Sequence, residues 1–284
     1  DSHCHLIFEN FENDLEDVVK RFRSRGVKKL VHACWELTEI PKLKKISHEF
    51  NEIYYSVGLH PLEANKWDLS SKSLLRRSAQ EDKRVVAIGE LGLDFFKSEN
   101  KTQQIEALIP QMELAYELDL PVIIHCRDAA NEMIEICNDL SKKNKCPRGV
   151  LHCWTGTPKE MAQFLALGFY ISFSGIVTFP KAHEIHECAK IVPNDKYLIE
   201  TDSPFLALGF YISFSGIVTF PKAHEIHECA KIVPNDKYLI ETDSPFLAPV
   251  PHRGKRNEPA FVENVANCMA EIRSTELITI AQES

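Results

Sequence analysis

Histidines and acidic residues recur in this chain at the ends of short apolar stretches, positions that parallel strands would bring together. Two histidines are separated by one residue in Asp-Ser-His-Cys-His, so on a strand both imidazoles would point to the same face. Imidazoles and carboxylates are costly to bury together unless they are paired or bind metal. We therefore predict a metal site made of His3, His5, Glu90, His125, His152 and the aspartate of a Glu-Thr-Asp-Ser-Pro motif, either Asp243 or Asp202.

The ligand types indicate the metal and the reaction. Four imidazoles and two carboxylates suit Zn²⁺ or Mn²⁺ and, less naturally, Mg²⁺. The set is large enough for two ions bridged by Glu90. Two ions roughly 3.5–4 Å apart acidify water and stabilise attacking and leaving oxygens, which predicts hydrolysis of a phosphodiester, amide, ester or lactone. Glu90 and the motif aspartate would be the catalytic carboxylates, and the aspartate could act as base on metal-bound water as well as being a ligand.

Candidate substrate-binding residues adjoin these motifs. Arg127 follows His125 by two positions, and Arg253 and Arg256 lie in a basic loop after the second Glu-Thr-Asp-Ser-Pro motif. Local positive charge of this kind can bind phosphate, although the loop could equally be a solvated basic segment. His60, in Gly-Leu-His-Pro, either contacts substrate or only shapes a turn. We interpret His32 and the helical His-x-x-His pairs as structural.

The elements that must position these residues alternate between short apolar strands and amphipathic helices. This alternation is typical of a parallel sheet covered by helices on both faces. We predict a TIM-type (β/α)8 barrel formed as one domain over residues 1–284, with its first strand cut at the N-terminus. A doubly wound open sheet is the alternative, but no Gly-x-Gly-x-x-Gly motif follows a strand.

The chain contains an exact 41-residue tandem duplication, because residues 164–204 recur without change as 205–245. A solenoid would show several diverged units, so we interpret the single perfect copy as an accident of duplication. Two candidate aspartates result. The segment after Asp202 is too short for a helical crossover into the next strand, and the basic loop follows Asp243 directly. We therefore favour Asp243, with Asp202 as the alternative.

Composition narrows the class of protein. A net charge of −8 offers no general attraction to nucleic acid, so binding to a polyanion would depend on local charge. The nine cysteines lack a Cys-x-x-Cys spacing, and no apolar run is long enough to span a membrane. These features, together with the absence of a visible signal peptide, favour a cytoplasmic protein with reduced thiols.

Several motifs together resemble the TatD family of metal-dependent deoxyribonucleases, within the metallo-dependent hydrolase superfamily. They are DSHCHL, GLHP, GELGLD, IHCRDA, LHCWTG, GFYISFSGIVTF and ETDSPFLAPVPHRGKRNEP, in this order along nearly the whole chain. The resemblance implies a TIM barrel, divalent cations and 3′–5′ exonuclease or endonuclease activity, with single-stranded DNA or 3′ ends as the expected substrate. It also implies that the six residues named above hold the metal. By the same resemblance we expect another helical segment after residue 284, so the C-terminus is expected to end early. The alternatives are a hydrolase of small amides, esters or lactones on the same scaffold, and an inactive truncated and duplicated product.

Overall fold

The computed structural model describes residues 1–8, 11, 13–96, 98–179, 181–203, 212–233, 235, 238–242, 244 and 246–283. The chain divides into two compact units, Asp1–Leu208 and Gly209–Ser284. The division falls inside the second copy of the repeated sequence. Each unit has its own apolar cluster.

The first unit is an α/β structure in which seven parallel strands follow one another in chain order across a single sheet. The strands are β1 (Leu30–His32), β2 (Ile53–Val57), β3 (Val85–Asp94), β4 (Val122–Arg127), β5 (Gly149–Leu151), β6 (Tyr170–Phe173) and β7 (Tyr197–Ile199). The helices are α1 (Leu15–Ser24), α2 (Ile40–Glu49), α3 (Ser71–Glu81), α4 (Lys101–Glu117), α5 (Ala130–Lys142), α6 (Pro158–Ala166) and α7 (His183–Ile191). The predicted α/β class and parallel sheet are confirmed.

Residues 1–5 join the two edges of this sheet. Cys4 forms isolated parallel bridges to His32 on one side and to Ser203 on the other. The Cys4 amide donates to the Val31 carbonyl at 3.1 Å, and the His5 amide donates to the Ser203 carbonyl at 2.5 Å. The sheet curls far enough for this short segment to lie between its edges. The segment takes the place of the predicted first strand, and it pairs through the isolated bridges of Cys4.

The second unit repeats part of the first. Strands β8 (Ile212–Phe214) and β9 (Tyr238–Ile240) pair in parallel, and helix α8 (His224–Ile232) connects them. Helices α9 (Val262–Arg273) and α10 (Leu277–Glu283) follow. Apolar residues from both strands and both later helices form the cluster of this unit: Phe214, Val218, Tyr238, Val265, Met269 and Ile280. The prediction of one domain over residues 1–284 stays a prediction.

The two copies of one tyrosine differ in solvent exposure because different residues pack around them. Tyr197 on β7 is 44% exposed, whereas its duplicate Tyr238 on β9 is fully buried at 0%. In the second unit α9 contributes Val265 and Met269 to the cluster that covers Tyr238. The same strand sequence thus has a bare outer face in one unit and a covered one in the other.

No helix in the described part of the chain is both long and apolar enough to cross a membrane.

Candidate metal centre

Strand β3 carries the central acid of the site and depends on a glycine to approach its neighbour. Gly92 has a φ of +143°, and a Cβ atom added there would lie 1.9 Å from the carbonyl oxygen of His125 on β4. A side chain at this position would therefore push β4 away. The close approach brings His125 beside Glu90 and Asp94, which lie four residues apart and thus on one face of the strand.

Glu90 lies at the centre of a ring of imidazoles. Its Oε1 atom is 2.8 Å from His152 Nε2, 3.0 Å from His125 Nδ1 and 3.2 Å from His60 Nε2. Its Oε2 atom is 3.3 Å from His3 Nε2 and 3.5 Å from His5 Nε2. Five histidines from four separate parts of the chain thus surround one buried carboxylate.

Asp202 completes the cluster on the side of the N-terminal segment. Its Oδ1 atom is 3.6 Å from His3 Nε2 and 4.0 Å from His5 Nε2, and its backbone amide donates to the His3 carbonyl at 3.0 Å. The sequence favoured Asp243 for this place, but Asp243 lies outside the described residues. Asp202 is the copy that the structure brings to the cluster.

The donor set fits divalent ions. Potential ligand atoms form three groups, and within each group the atoms lie no more than 4.8 Å apart. The groups are His3–His5–Glu90, His3–His152–Asp202 and His60–Glu90–His125. Among the described residues, the buried His3 Nδ1 and Glu90 Oε2 atoms form no hydrogen bond of acceptable geometry. A buried carboxylate oxygen is costly in that state, and a cation would compensate it.

The pKa shifts point in the same direction. Burial alone would raise the pKa of Glu90, but the surrounding imidazoles, His152 first, hold that pKa well below its ordinary value. Burial alone would lower the pKa of His152, yet the Glu90 charge raises that pKa well above its ordinary value. The cluster therefore favours a positive charge beside Glu90. A proton on His152 or a divalent ion would both meet this demand.

Two further carboxylates support the ring, and the sequence analysis did not single them out. Asp94 Oδ2 lies 3.0 Å from His125 Nε2. Glu200 Oε1 lies 3.6 Å from His152 Nδ1, and Glu200 Oε2 accepts a hydrogen bond from the Ser172 hydroxyl at 2.5 Å. The alternation of side chains along a strand could have predicted both carboxylates. Asp94 lies on the same face as Glu90, and Glu200 precedes Asp202 by two positions.

A cavity of about 470 Å³ opens onto the cluster, and His60 and Arg127 line it. The His60 ring stacks on Trp35 with 3.7 Å between the ring centroids, and its Nδ1 accepts a hydrogen bond from the Leu62 amide at 3.2 Å. Burial lowers the pKa of His60 to about 4. The exposed Arg127 guanidinium lies 3.9 Å from the centroid of the Phe96 ring. Both predicted substrate-binding residues of the first unit thus face the cavity.

The other two predicted substrate-binding residues, Arg253 and Arg256, belong to the second unit. The Arg253 guanidinium lies 4.4 Å from the centroid of the Phe220 ring. Arg256 forms an exposed ion pair of 3.4 Å with Glu258.

The histidines interpreted as structural have ordinary partners. His32 Nε2 accepts hydrogen bonds from the Leu6 and Ile7 amides at 2.8 and 3.2 Å, and its Nδ1 donates to the Ala33 carbonyl at 2.9 Å. His186 Nε2 donates to the Val177 carbonyl at 2.9 Å, and its duplicate His227 does the same to Val218 at 2.8 Å. His32 therefore anchors the turn that follows His5.

Comparison with known proteins gives consistent relatives. The family model described as TatD related DNase matches residues 1–208 and again 205–284. The uncharacterised metal-dependent hydrolase YcfH of Escherichia coli strain K12 is 37% identical over 287 residues, covering 99% of this chain and 91% of that protein. The 3′-5′ ssDNA/RNA exonuclease TatD of Shigella flexneri serotype 5b is 34% identical over 202 residues, covering 70% of this chain and 76% of that protein. A crystal structure of a TatD family hydrolase from Entamoeba histolytica superposes with a TM-score of 0.65 at 24% identity, covering 100% of this chain and 94% of that one, a likeness of fold.

Proposed function

The chain belongs to the TatD family of metal-dependent hydrolases, and from this premise we propose that it is a deoxyribonuclease acting on 3′ ends of single-stranded DNA. The observation that carries the proposal is the buried Glu90 carboxylate inside its ring of imidazoles, with Asp202 beside it. This donor set suits the hydrolysis of a phosphodiester assisted by two divalent ions. The Shigella relative, a 3′-5′ ssDNA/RNA exonuclease by name, supports the choice of a single-stranded substrate.

The donor set around Glu90 would hold two ions of Zn²⁺, Mn²⁺ or Mg²⁺. His3, His5 and Asp202 would hold one ion, and His125 and His152 would hold the other, with Glu90 shared between them. When bound, such ions act as Lewis acids that acidify water and stabilise negative charge on phosphoryl oxygens. The predominance of imidazole ligands favours Zn²⁺ or Mn²⁺ over Mg²⁺.

The protein's own groups would divide the proton transfers. Asp202 is the carboxylate we assign as base, accepting a proton from the attacking water at its Oδ1 atom. Glu90 stays ionised at neutral pH because its pKa is held well below the ordinary value, so it does not compete for that proton. His60 is neutral at the same pH and its Nδ1 accepts from Leu62, so its Nε2 carries the proton and faces the ionised Glu90 Oε1 atom at 3.2 Å.

Cavity size and local charge support a strand end as the substrate. A volume of about 470 Å³ lies in the range of small-ligand sites, roughly 300–1,000 Å³. Arg127, at the cavity, would bind a phosphate of the strand. Arg253 and Arg256 are proposed as further phosphate-binding residues on the strength of their motif.

The test is release of nucleotides from 3′-labelled single-stranded DNA by chelated full-length protein resupplied with Mg²⁺, Mn²⁺ or Zn²⁺. The duplication provides a matched pair of variants, Asp202→Asn and Asp243→Asn, which change the same residue in identical local sequence. We expect metal-dependent release that Asp202→Asn lowers by about 100-fold or more and that Asp243→Asn leaves intact. Loss in Asp243→Asn alone would contradict the assignment of Asp202.

Two other results would favour the alternatives. Protein that binds divalent ions but cleaves no DNA, while hydrolysing a panel of small amides, esters or lactones, would be a small-molecule hydrolase. Protein that neither binds ions nor hydrolyses any of these substrates would be an inactive product.

A further inference from the structure

We propose that Asp94 is a positioning residue that fixes the tautomer of His125 and so leaves the correct ring nitrogen free to bind a divalent ion. The inference rests on the metal centre of the proposed function and goes beyond it, since it assigns a role to a residue outside the ligand set.

The tautomer matters because both nitrogens of His125 face a carboxylate. Nδ1 lies 3.0 Å from Glu90 Oε1, and Nε2 lies 3.0 Å from Asp94 Oδ2. A neutral imidazole carries one proton, and an ionised carboxylate can only accept it. If Glu90 took that proton, Nδ1 would have no lone pair for metal. With the proton directed to Asp94, Nδ1 keeps its lone pair on the side of the cluster.

Asp94 is held firmly enough to impose this choice. Its side chain is buried, and its Oδ1 atom accepts a hydrogen bond from the Phe96 amide at 3.0 Å. The buried Gln104 of α4 binds the backbone of Asp94 on both sides. Gln104 Oε1 accepts from the Asp94 amide at 2.8 Å, and Gln104 Nε2 donates to the Asp94 carbonyl at 2.9 Å. An aspartate whose backbone and Oδ1 atom are both held presents Oδ2 to His125 without further ordering.

The second imidazole assigned to the same ion lacks an equally close partner. His152 Nδ1 is 3.6 Å from Glu200 Oε1, beyond the length of a hydrogen bond. Of the two imidazoles assigned to this ion, only His125 thus has an outer carboxylate within hydrogen-bond distance, so Asp94 can control its tautomer. Outer carboxylates of this kind are worth about 10–100-fold in metal affinity.

The variant Asp94→Asn reverses the preference with almost no change in shape. The Phe96 amide needs an acceptor, so the amide oxygen takes the Oδ1 position and the NH₂ group faces His125 Nε2. That nitrogen must then accept, which moves the ring proton to Nδ1. We expect long-range ¹H–¹⁵N NMR on metal-free protein near pH 9 to show His125 protonated at Nε2 in the wild type and at Nδ1 in the variant. We also expect calorimetric titration to show Zn²⁺ and Mn²⁺ binding weakened about 10–100-fold.

The matched control is Asp82→Asn, which alters another buried aspartate paired to a histidine. Asp82 Oδ2 lies 3.0 Å from His48 Nε2, away from the cluster. This variant should bind both metals as the wild type does. A second variant, Gln104→Leu, keeps the Asp94 carboxylate but removes its backbone clamp, and should weaken metal binding in the same direction by a smaller factor.

Either of two results would overturn the inference: an unchanged His125 tautomer in Asp94→Asn, or unchanged metal affinity in both Asp94→Asn and Gln104→Leu. Neither readout involves DNA. Suppose that Asp94→Asn changes the His125 tautomer and weakens metal binding as expected, but the wild type releases no nucleotides. That result would refute the nuclease and leave the role of Asp94 supported.

Discussion

Replacing His32 by leucine should destabilise the first unit although His32 is not a proposed metal ligand. The ring is fully buried, and its Nε2 atom accepts from the amides of Leu6 and Ile7, directly after His5. Leucine fills similar space but accepts no hydrogen bond. A buried donor left without an acceptor costs about 1–3 kcal/mol, so two such donors, one of them only partly buried, should cost about 2–5 kcal/mol.

The three tryptophans allow a clean assay, because Trp35, Trp67 and Trp154 all belong to the first unit. Urea unfolding followed by tryptophan fluorescence therefore reports on that unit. With a slope of about 2 kcal/mol per molar urea, the midpoint for His32→Leu should fall by about 1–2.5 M.

The control is His48→Leu, which removes a histidine whose side chain is 56% exposed and which makes one contact of 3.0 Å to Asp82. An exposed pair of this kind is worth less than about 1 kcal/mol, so its midpoint should shift little. Equal shifts in the two variants would refute the claim that His32 holds the turn after His5 through its acceptor nitrogen.

Two further predictions concern the same unit. Burial lowers the pKa of His60 to about 4, so the folded protein favours its neutral form. The free energy of unfolding should therefore keep its full value above the unfolded pKa of about 6.5 and decline as pH falls from there toward 4. In chelator, urea titrations at pH 6.5 and pH 5 should show the wild type losing about 2 kcal/mol more than His60→Gln, and parallel losses would contradict this account. Gly92→Ala should cost more than about 3 kcal/mol and abolish metal binding, because its Cβ would lie 1.9 Å from the His125 carbonyl. Gly26→Ala, at φ +84° with nothing within 4 Å, should cost only about 1 kcal/mol, and similar midpoints for the two variants would be evidence against the steric argument.

Much of the fold and of the cluster could be predicted from local patterns. The apolar stretch at residues 84–94 predicted β3, which spans Val85–Asp94, and the amphipathic stretch at 103–118 predicted α4, which spans Lys101–Glu117. The histidines at the ends of other apolar stretches, His60, His125 and His152, converge with Glu90 because parallel strands share an edge, a consequence of topology that needs no knowledge of distances.

Two features of the site could not be predicted, because they depend on contacts between residues that are not neighbours in the sequence. Gln104 clamps Asp94 from a helix, and nothing in the local pattern separates this glutamine from an exposed one. The two Glu-Thr-Asp-Ser-Pro motifs have the same local preferences, so their sequences cannot decide which one meets the N-terminal segment. The pairing of residues 1–5 with residues 199–203 brings Asp202 to the cluster, and that pairing joins opposite ends of the first unit.

The contrast in burial between the two copies bears on how each would diverge under selection. In the copy at 164–204, Glu200 is buried beside the histidine cluster around Glu90 while Tyr197 is exposed. In the copy at 205–245 the relation is reversed, because Glu241 is exposed and Tyr238 is buried. Purifying selection should therefore preserve the acid in the first copy and the tyrosine in the second. Two stretches that are now identical would become complementary, each keeping the residue that its own surroundings require.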